Sequence, residues 1–241
     1  MYILNLFIFL MTASSLAAHF SEEDAIIQLQ RIHHKLCLTH GSFLEEYPEQ
    51  VMSVMFVLPT DKILEIGGNA GRNSCVISSL LNQSDHLVVS ESDPNAIPIL
   101  MANRDRNGFS FHIEDSAISQ VSLVQAGWVT FPSEIVPPGH FKIKTISYND
   151  LKKKYGILFN ALVADCEGAL YYILRDDESI LEEIDMIIVE NDYLQLKHYE
   201  TVREQFIAHG FQPVYSKAGG WGPCYNVFYQ VWQKPSRLMN H

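Results

Sequence analysis

Residues 62–74 constrain the fold of this chain more than any other stretch. Residues 62–66 are mostly apolar, as a buried parallel strand requires, and apolar residues then recur at helical spacing beyond residue 70. Gly67 and Gly71 lie between these two segments, where a chain turning from strand to helix needs backbone without a Cβ. The pattern predicts a strand, a tight turn and a helix, and so an α/β sheet with a ligand at the turn.

The spacing of the turn narrows the class of ligand. A dinucleotide-binding turn reads G-x-G-x-x-G and directs free N–H groups at a pyrophosphate. Here the pattern is E-x-G-x-x-x-G, and the carboxylate of Glu65 stands where a phosphate would be repelled. The turn resembles motif I of class I S-adenosylmethionine-dependent methyltransferases, whose ligand carries an amino group and a sulfonium. An NAD(P)-binding Rossmann oxidoreductase and an ordinary strand-to-helix turn are the alternatives.

Composition restricts the size of the fold and the kind of partner. The chain has 241 residues, 47% of them hydrophobic, which suits one sizeable α/β domain. The net charge is -11 with only 17 Lys and Arg, and this argues against a nucleic-acid or anionic-membrane surface. We therefore expect a small-molecule or glycan substrate and no nucleic acid, and leave the oligomeric state open.

Residues 1–18 have the pattern of a signal peptide or an N-terminal anchor. The apolar run 3–11 is shorter than the roughly 20 residues that cross a bilayer, and small residues follow it up to a candidate cleavage site at Ser15-Leu16-Ala17. Cleavage predicts the secretory pathway and a usable glycosylation sequon at Asn82. No Lys or Arg precedes the run, so membrane anchoring by an uncleaved segment, or a cytoplasmic location, stays open.

The remaining chain divides into an N-terminal helical segment, residues 19–57, and a domain of alternating strands and helices, residues 58–234. A capping box of Ser21 and Asp24 opens the first predicted helix, which runs towards Gly41. Further helices are predicted at 44–56, from 70 onward, at 94–107, 148–155 and 199–209. Strands are predicted at 62–66, 85–91, 109–113, 159–164, 184–189, 211–215 and 225–232, and a hairpin excursion joins 128–135 to 141–146.

Acidic and polar residues stand at the ends of several predicted strands. Glu91 ends the second strand, at a distance from the glycine turn that suits a carboxylate accepting both hydroxyls of a ribose. Asp115 and Ser116 follow the third strand, where an adenine amino group could be read. Residues 165–168 and 190–191 follow two later strands. Because open α/β sheets bind ligands beyond the carboxyl ends of their strands, we expect these residues to form one rim.

The order of these motifs resembles that of FkbM-type methyltransferases over about residues 58–233. The D-C-E-G element at 165–168, after the T-I-S-Y-N-D-L segment at 145–151, carries most of the resemblance. It implies a Rossmann-like class I methyltransferase fold with a seven-stranded, mostly parallel sheet, an antiparallel last strand and helices on both faces. It also implies methyl transfer from S-adenosylmethionine, as O-methylation of a hydroxyl on a small molecule or glycan. A non-catalytic binding protein with this fold is an alternative.

The resemblance also implies roles for individual residues. The amino-acid end of the cofactor is assigned to Glu65 and the Gly67–Gly71 turn with Asn73, the ribose to Glu91, and the adenine to Asp115 or Ser116. Asp165 or Glu167 accepts the proton of the substrate hydroxyl. In the other reading, Asp165, Glu190 and Asn191 bind Mg²⁺ or Mn²⁺, as in the catechol-type methyltransferases that this trio resembles. The remaining alternative is that residues 165–168 only cap the next helix.

Overall fold

A computed structural model describes residues 21–238 of the chain, so the predicted signal or anchor and its cleavage site lie outside the described residues. Two helices come first, α1 (Glu22–His33) and α2 (Tyr47–Phe56). The predicted capping box is present, because the Ser21 hydroxyl accepts a hydrogen bond from the Asp24 N–H. The helix ends well before Gly41. Beyond it, the backbone N–H groups of Cys37 and Thr39 donate to side chains of a later helix rather than to helical carbonyls.

The rest of the chain alternates strands and helices. In chain order these are β1 (Ile63–Ile66), α3 (Arg72–Leu80), β2 (Leu87–Ser90), α4 (Ala96–Arg106), β3 (His112–Glu114), β4 (Ala117–Ile118), β5 (Leu123–Ala126), β6 (Val129–Pro132), β7 (Phe141–Ile143), β8 (Thr145–Ile146), α5 (Tyr148–Tyr155), β9 (Ala161–Ala164), α6 (Leu170–Asp176), α7 (Ile180–Glu183), β10 (Met186–Glu190), α8 (Leu196–Ala208), β11 (Gln212–Lys217), β12 (Tyr229–Gln233) and α9 (Pro235–Leu238). No helix among residues 21–238 has the length and apolar character needed to cross a bilayer.

Seven strands form the main sheet in the order β11-β12-β10-β9-β1-β2-β3. β12 runs antiparallel to both of its neighbours, while β10, β9, β1, β2 and β3 are mutually parallel. This confirms the predicted seven-stranded sheet with an antiparallel last strand. The chain leaves β1 towards β2 and β3, then returns to the other side of β1 at β9. The sheet therefore has its topological switch point between β1 and β9, where Ile66 pairs with Ala164.

Both faces of the sheet are covered, which explains the continuous apolar runs of its central strands. One face buries Leu64 and Leu162 against α6, α7 and α8, and the other buries Ile63 and Val163 under α3. Each such side chain stabilises the fold by roughly 1.5–3 kcal/mol on burial. α2 packs beside α3 on this second face of the sheet, where Met52 joins the same cluster, and α1 packs on both helices around Leu29. The N-terminal helical segment is thus part of the same hydrophobic core as the sheet.

The excursion between β3 and α5 exists, but its predicted pairing is wrong. β5 lies in the centre of a three-stranded sheet, with β6 on one side and β7 on the other, and β4 pairs with β8. The hairpin turn is at Gly127-Trp128, where Gly127 has a φ of 56° that a tight hairpin turn favours. Leu123 and Val124 are buried, so β5 supplies the apolar centre of this small sheet.

Candidate functional site

A cavity of about 290 Å³ opens at the carboxyl ends of β1, β2, β9 and β10. This volume is near the lower end of that of small-molecule sites, and the position is where open α/β sheets bind ligands. The excursion and the segment before α2 also contribute to its walls. Its lining comprises Glu46, Ile66, Gly67, Asn69, Ser90, Glu91, Ser92, Asp93, Ala117, Ile118, Ser119, Leu123, Gln125, Trp128, Thr130, Asp165, Cys166, Glu167, Ala169, Tyr172, Ile173 and Glu190.

The glycine turn brings three strands together at the floor of this cavity. The Gly67 N–H donates to the Ser90 carbonyl at 2.9 Å, and Gly67 has a φ of 88°. A Cβ on Gly67 would lie 1.7 Å from the carbonyl oxygen of Asp165, so no other residue fits. Gly71 has a different role, because a Cβ there would lie 2.5 Å from the Leu100 side chain of α4. Gly67 lines the cavity, whereas Gly71 permits close packing of helices.

The structure places Glu91 in the wall of the cavity, next to the turn. Its two carboxylate oxygens accept hydrogen bonds from the backbone N–H groups of Asn69 and Asp93, each at 2.7 Å. Burial raises the pKa of Glu91, and these backbone bonds oppose the shift. The two bonds fix the orientation of the carboxylate and leave further lone pairs for hydroxyl donors.

Three residues other than glycine have a positive φ among residues 21–238, and all three line this cavity. They are Glu46 (56°), Asn69 (44°) and Glu167 (51°). The Glu46 carboxylate accepts from Asn69 Nδ2 at 3.0 Å and from Arg72 Nη1 at 2.6 Å, which holds the segment before α2 against the turn. A left-handed conformation costs an L-residue about 1–2 kcal/mol, and such strain concentrates at functional sites.

Three carboxylates meet at one wall of the cavity, which Asp165 and Glu190 line while Glu49 lies buried behind them. Oxygens of Glu49, Asp165 and Glu190 all lie within 4.8 Å of one another. Burial, and then the mutual repulsion of these groups, raises the pKa of Glu49 and of Asp165 well above the ordinary range. Burial raises the pKa of Glu190 to about 8, and the charge of Asp192 adds to this effect. At neutral pH such a cluster retains protons or attracts a cation.

Two residues predicted to contact adenine do not line the cavity. Asp115 is exposed and forms an ion pair with Lys144, and Ser116 is buried with its carbonyl accepting from the Ser90 hydroxyl at 2.6 Å. The chain turns away here because β4 pairs with β8 directly after β3. Ile118 and Ser119 occupy this end of the cavity instead, together with Gln125 of β5.

Three further predicted site residues also lie away from the cavity. Side chains alternate along β1, so Glu65 lies under α3, where its carboxylate accepts from the Ser74 hydroxyl at 2.5 Å. Asn73 accepts from the Ser53 hydroxyl at 2.8 Å. Asn191 donates from Nδ2 to the Val227 carbonyl at 2.6 Å and to Gln230 at 3.0 Å. The structure brings Asp165 and Glu190 together with Glu49, whereas Asn191 does not line the cavity and its amide nitrogen is bonded to Val227 and Gln230.

Sequence reasoning did not find several residues of the site. Glu46 and Glu49 belong to the N-terminal helical segment, which carries no motif that ties it to the strand ends. Gln125 and Trp128 belong to the excursion. The apolar run at 121–126 predicts a strand that contains Gln125 and ends just before Trp128. Tyr172 lies in the first turn of α6, the helix after the D-C-E-G element.

Comparisons with known proteins give matches among solved structures and none among protein families. No protein-family model matches the chain, and the search of curated proteins gives no match. Among solved structures, the chain is similar to a ribosomal protein L11 methylase from Lactobacillus delbrueckii subsp. bulgaricus, with 11% identity over 82% of each chain and a TM-score of 0.52. An O-methyltransferase from Bacillus cereus, solved in complex with SAH, has 13% identity over 88% of this chain and 90% of that chain, with a TM-score of 0.49.

At these identities the likeness concerns the fold. Together with the strand order and the antiparallel last strand, the first of these similarities defines the fold as the Rossmann-like fold of class I methyltransferases.

Proposed function

We propose that this protein is a class I methyltransferase that uses S-adenosylmethionine. The observation that carries the proposal is the Glu91 carboxylate, held by two backbone N–H groups beside the Gly67 turn at the switch point of the sheet. A carboxylate in this position accepts the two hydroxyls of a ribose. The neighbouring wall is acidic, with Glu46, Asp165 and Glu190, and it would repel the pyrophosphate of a dinucleotide. It suits a ligand that carries an amino group and a sulfonium.

Each part of the proposed cofactor has a matching part of the cavity. Gly67 and Asn69 would hold the amino-acid end, with the carboxylate of Glu46 close to its amino group. Glu91 would orient the ribose. Ile118 offers an apolar surface for the base, and Gln125 offers an amide. The bound cofactor supplies an electrophilic methyl group, and the chain's own residues orient the acceptor in line with it.

For the acceptor we propose a hydroxyl of a small molecule or glycan, as in the FkbM-type proteins that the chain resembles. The hydroxyl would lose its proton as its oxygen forms a bond to the methyl carbon, while the bond from that carbon to the sulfonium sulfur would break and S-adenosylhomocysteine would leave. Asp165 supports this step, since a carboxylate with a raised pKa is a more effective base near neutral pH than an ordinary one. Glu167 follows Asp165 in the wall and is the second candidate base.

Calorimetry with S-adenosylhomocysteine tests cofactor binding. We expect saturable binding, and we expect Glu91→Gln to weaken it about tenfold or more, since loss of a charge-assisted hydrogen bond costs about 1.5–3 kcal/mol. Glu204→Gln, an exposed carboxylate of α8, is the control for charge and should bind normally. Saturable binding of NAD(P) without any binding of S-adenosylhomocysteine would identify an oxidoreductase instead. Cofactor binding without methyl transfer to any acceptor in a broad pool would identify a non-catalytic binding protein.

The proposed compartment is the secretory pathway, which rests on the N-terminal sequence pattern. Asn82 is exposed in the loop after α3, where a glycan could be attached. Mass spectrometry of the expressed protein should find an N-terminus near Ala18 and a glycan on Asn82. An intact N-terminus in the membrane fraction would indicate an anchor, and an intact N-terminus in the cytosol would contradict the proposed compartment.

A further inference from the structure

Glu49 is a buried carboxylate with an unused oxygen. It lies in the first turn of α2, and its side chain is 3% exposed. Its Oε1 atom is inaccessible to solvent and has no hydrogen-bond partner. A charged group in such a position costs several kcal/mol unless a proton or a cation compensates it. The Glu49 carboxylate therefore needs either a bound proton or a nearby cation.

Two other carboxylates stand opposite Glu49 from different elements. Asp165 follows β9, and Glu190 ends β10. Among the described residues, no Lys, Arg or His side chain forms an ion pair with any of these three acids, and no donor forms a hydrogen bond to their side chains. This contrasts with Glu46, only three positions before Glu49, whose carboxylate is paired with Arg72. Among the described residues, no basic side chain balances the charge of these three acids.

The separation of the three carboxylates matches coordination of one ion. Their ligand oxygens lie within 4.8 Å of one another. Two oxygens on opposite sides of one ion lie about 4.8 Å apart for Ca²⁺ and about 4.2 Å apart for Mg²⁺, and adjacent ligands are closer. Oxygen-only ligands suit these hard cations and Mn²⁺. The adjoining cavity can admit water molecules and substrate oxygens to complete the coordination.

We propose that Glu49, Asp165 and Glu190 bind one divalent cation, Mg²⁺, Mn²⁺ or Ca²⁺, which ties α2 to the ends of β9 and β10. This set differs from the one that the sequence suggested, because Glu49 takes the place of Asn191. The ion would lie at the wall of the cavity that Asp165 and Glu190 line, where it could also bind an acceptor oxygen. With the ion bound, Asp165 is a ligand, and Glu167 is left as the candidate base for the proposed methyl transfer. The cation site itself does not depend on which ligand occupies the cavity.

Thermal unfolding of the full chain, stripped with EDTA and then supplied with MgCl₂, MnCl₂ or CaCl₂, tests this site. At about one hundred times the dissociation constant, the ion should raise the Tm by roughly 5–10 °C. Glu49→Gln should abolish this rise. It should also raise the Tm in EDTA, because it removes one of three clustered negative charges. Glu204→Gln should respond to the ions like the wild type.

Titration calorimetry with MnCl₂ gives a second measurement that does not depend on unfolding. We expect one site in the wild type and at least tenfold weaker binding in Glu49→Gln. Absence of any divalent-ion effect on the wild type overturns the proposal, as does an equal effect in Glu49→Gln. A Tm rise with methylammonium chloride but not with divalent ions would also overturn it, in favour of an amine site. Calorimetry with S-adenosylhomocysteine on the same samples tests cofactor binding, so failure of the cofactor proposal can be distinguished from failure of the cation proposal.

Discussion

At the scale of single residues, two glutamates near the glycine turn have opposite roles. Glu91 reaches the cavity, whereas Glu65 is buried under α3, and burial raises its pKa from 4.5 to about 8 against the opposing effect of the Ser74 hydroxyl. The folded state therefore binds the Glu65 proton more tightly than the unfolded state does. The stabilisation from this group is complete below pH 4.5 and is lost as the pH rises through about 8.

The first prediction concerns Glu65→Gln. The wild type should lose at most about 1.4 kcal/mol of stability from this group for each pH unit between about 4.5 and 8. The amide cannot ionise, so the variant should show a flatter pH dependence and gain stability relative to wild type at pH 8. Urea denaturation at several pH values measures this. Parallel pH profiles for the two proteins would show that Glu65 does not carry a raised pKa.

The second prediction compares the turnover of two variants, one at Asp165, the proposed base, and one at a carboxylate outside the cavity. Asp165→Asn should lower turnover about 10²-fold or more if Asp165 is the base, and should leave the affinity for S-adenosylhomocysteine within a few fold. Asp115→Asn is the matched control. Asp115 is exposed and pairs with Lys144 outside the cavity, so both quantities should stay unchanged. Near-normal turnover of Asp165→Asn would exclude Asp165 as the base and leave Glu167 as the candidate base of the D-C-E-G element.

At the scale of elements, the turn between β1 and α3 depends on Gly67 for steric reasons. Gly67 and Gly108 both have a left-handed φ, but a Cβ on Gly108 would contact nothing within 4 Å. The third prediction is that Gly108→Ala costs about 1 kcal/mol and Gly67→Ala costs clearly more. Gly67→Ala should also abolish binding of S-adenosylhomocysteine. Equal costs by chemical denaturation would show that the contact with Asp165 does not restrict the turn.

The β5–β6 hairpin places Trp128 at the edge of the cavity, with 61% of the residue exposed. The fourth prediction is that Trp128→Ala leaves the Tm within about 2 °C, because exposed side chains contribute little to stability. It should nonetheless weaken binding of the cofactor or raise the KM of the acceptor several-fold. Trp221→Ala is the control, since Trp221 is also exposed and does not line the cavity. If both variants bound the ligands equally well, the hairpin tip would not contribute to the binding site.

At the scale of the whole molecule, Arg237 joins the last helix to three other parts of the chain. Its guanidinium donates to both carboxylate oxygens of Asp61 at 2.6 and 2.8 Å, to Asp185 at 3.0 Å and to the Phe56 carbonyl at 3.1 Å. Arg237 and Asp61 are each 1% exposed. The pair therefore connects α9 to the end of α2 and to the loops before β1 and β10.

The fifth prediction is that Arg237→Met destabilises the protein by about 3–5 kcal/mol, because it leaves the buried Asp61 carboxylate without an opposite charge. Arg237→Met combined with Asp61→Asn should recover part of this loss. Arg175→Met removes a half-exposed arginine paired with its neighbour Asp176 and should change the free energy of unfolding by less than about 1 kcal/mol. A similar cost for both single variants in urea denaturation would contradict the proposed importance of the buried pair.

The local sequence determined the elements whose signals are contained within a few residues. The helix at 148–155 has the predicted bounds, since Ser147 caps its N-terminus and Gly156 adopts the left-handed conformation at its C-terminus. The Ser21–Asp24 capping box and the strand, turn and helix around Gly67 form for the same reason. Hydrogen bonds and apolar periodicity over such short distances are properties of the sequence itself.

Tertiary structure alone decided which side chains meet. Glu65 and Glu91 both stand near strand ends, but the pleat of β1 turns Glu65 away from the cavity. Glu49 reaches Asp165 because α2 packs against the sheet, where Met52 lies in one cluster with Met186 of β10. The pairing of β5 with both β6 and β7 likewise joins segments whose partners no local signal specifies. Contacts between residues distant in sequence follow from the packing of whole elements, and that packing determines the candidate site.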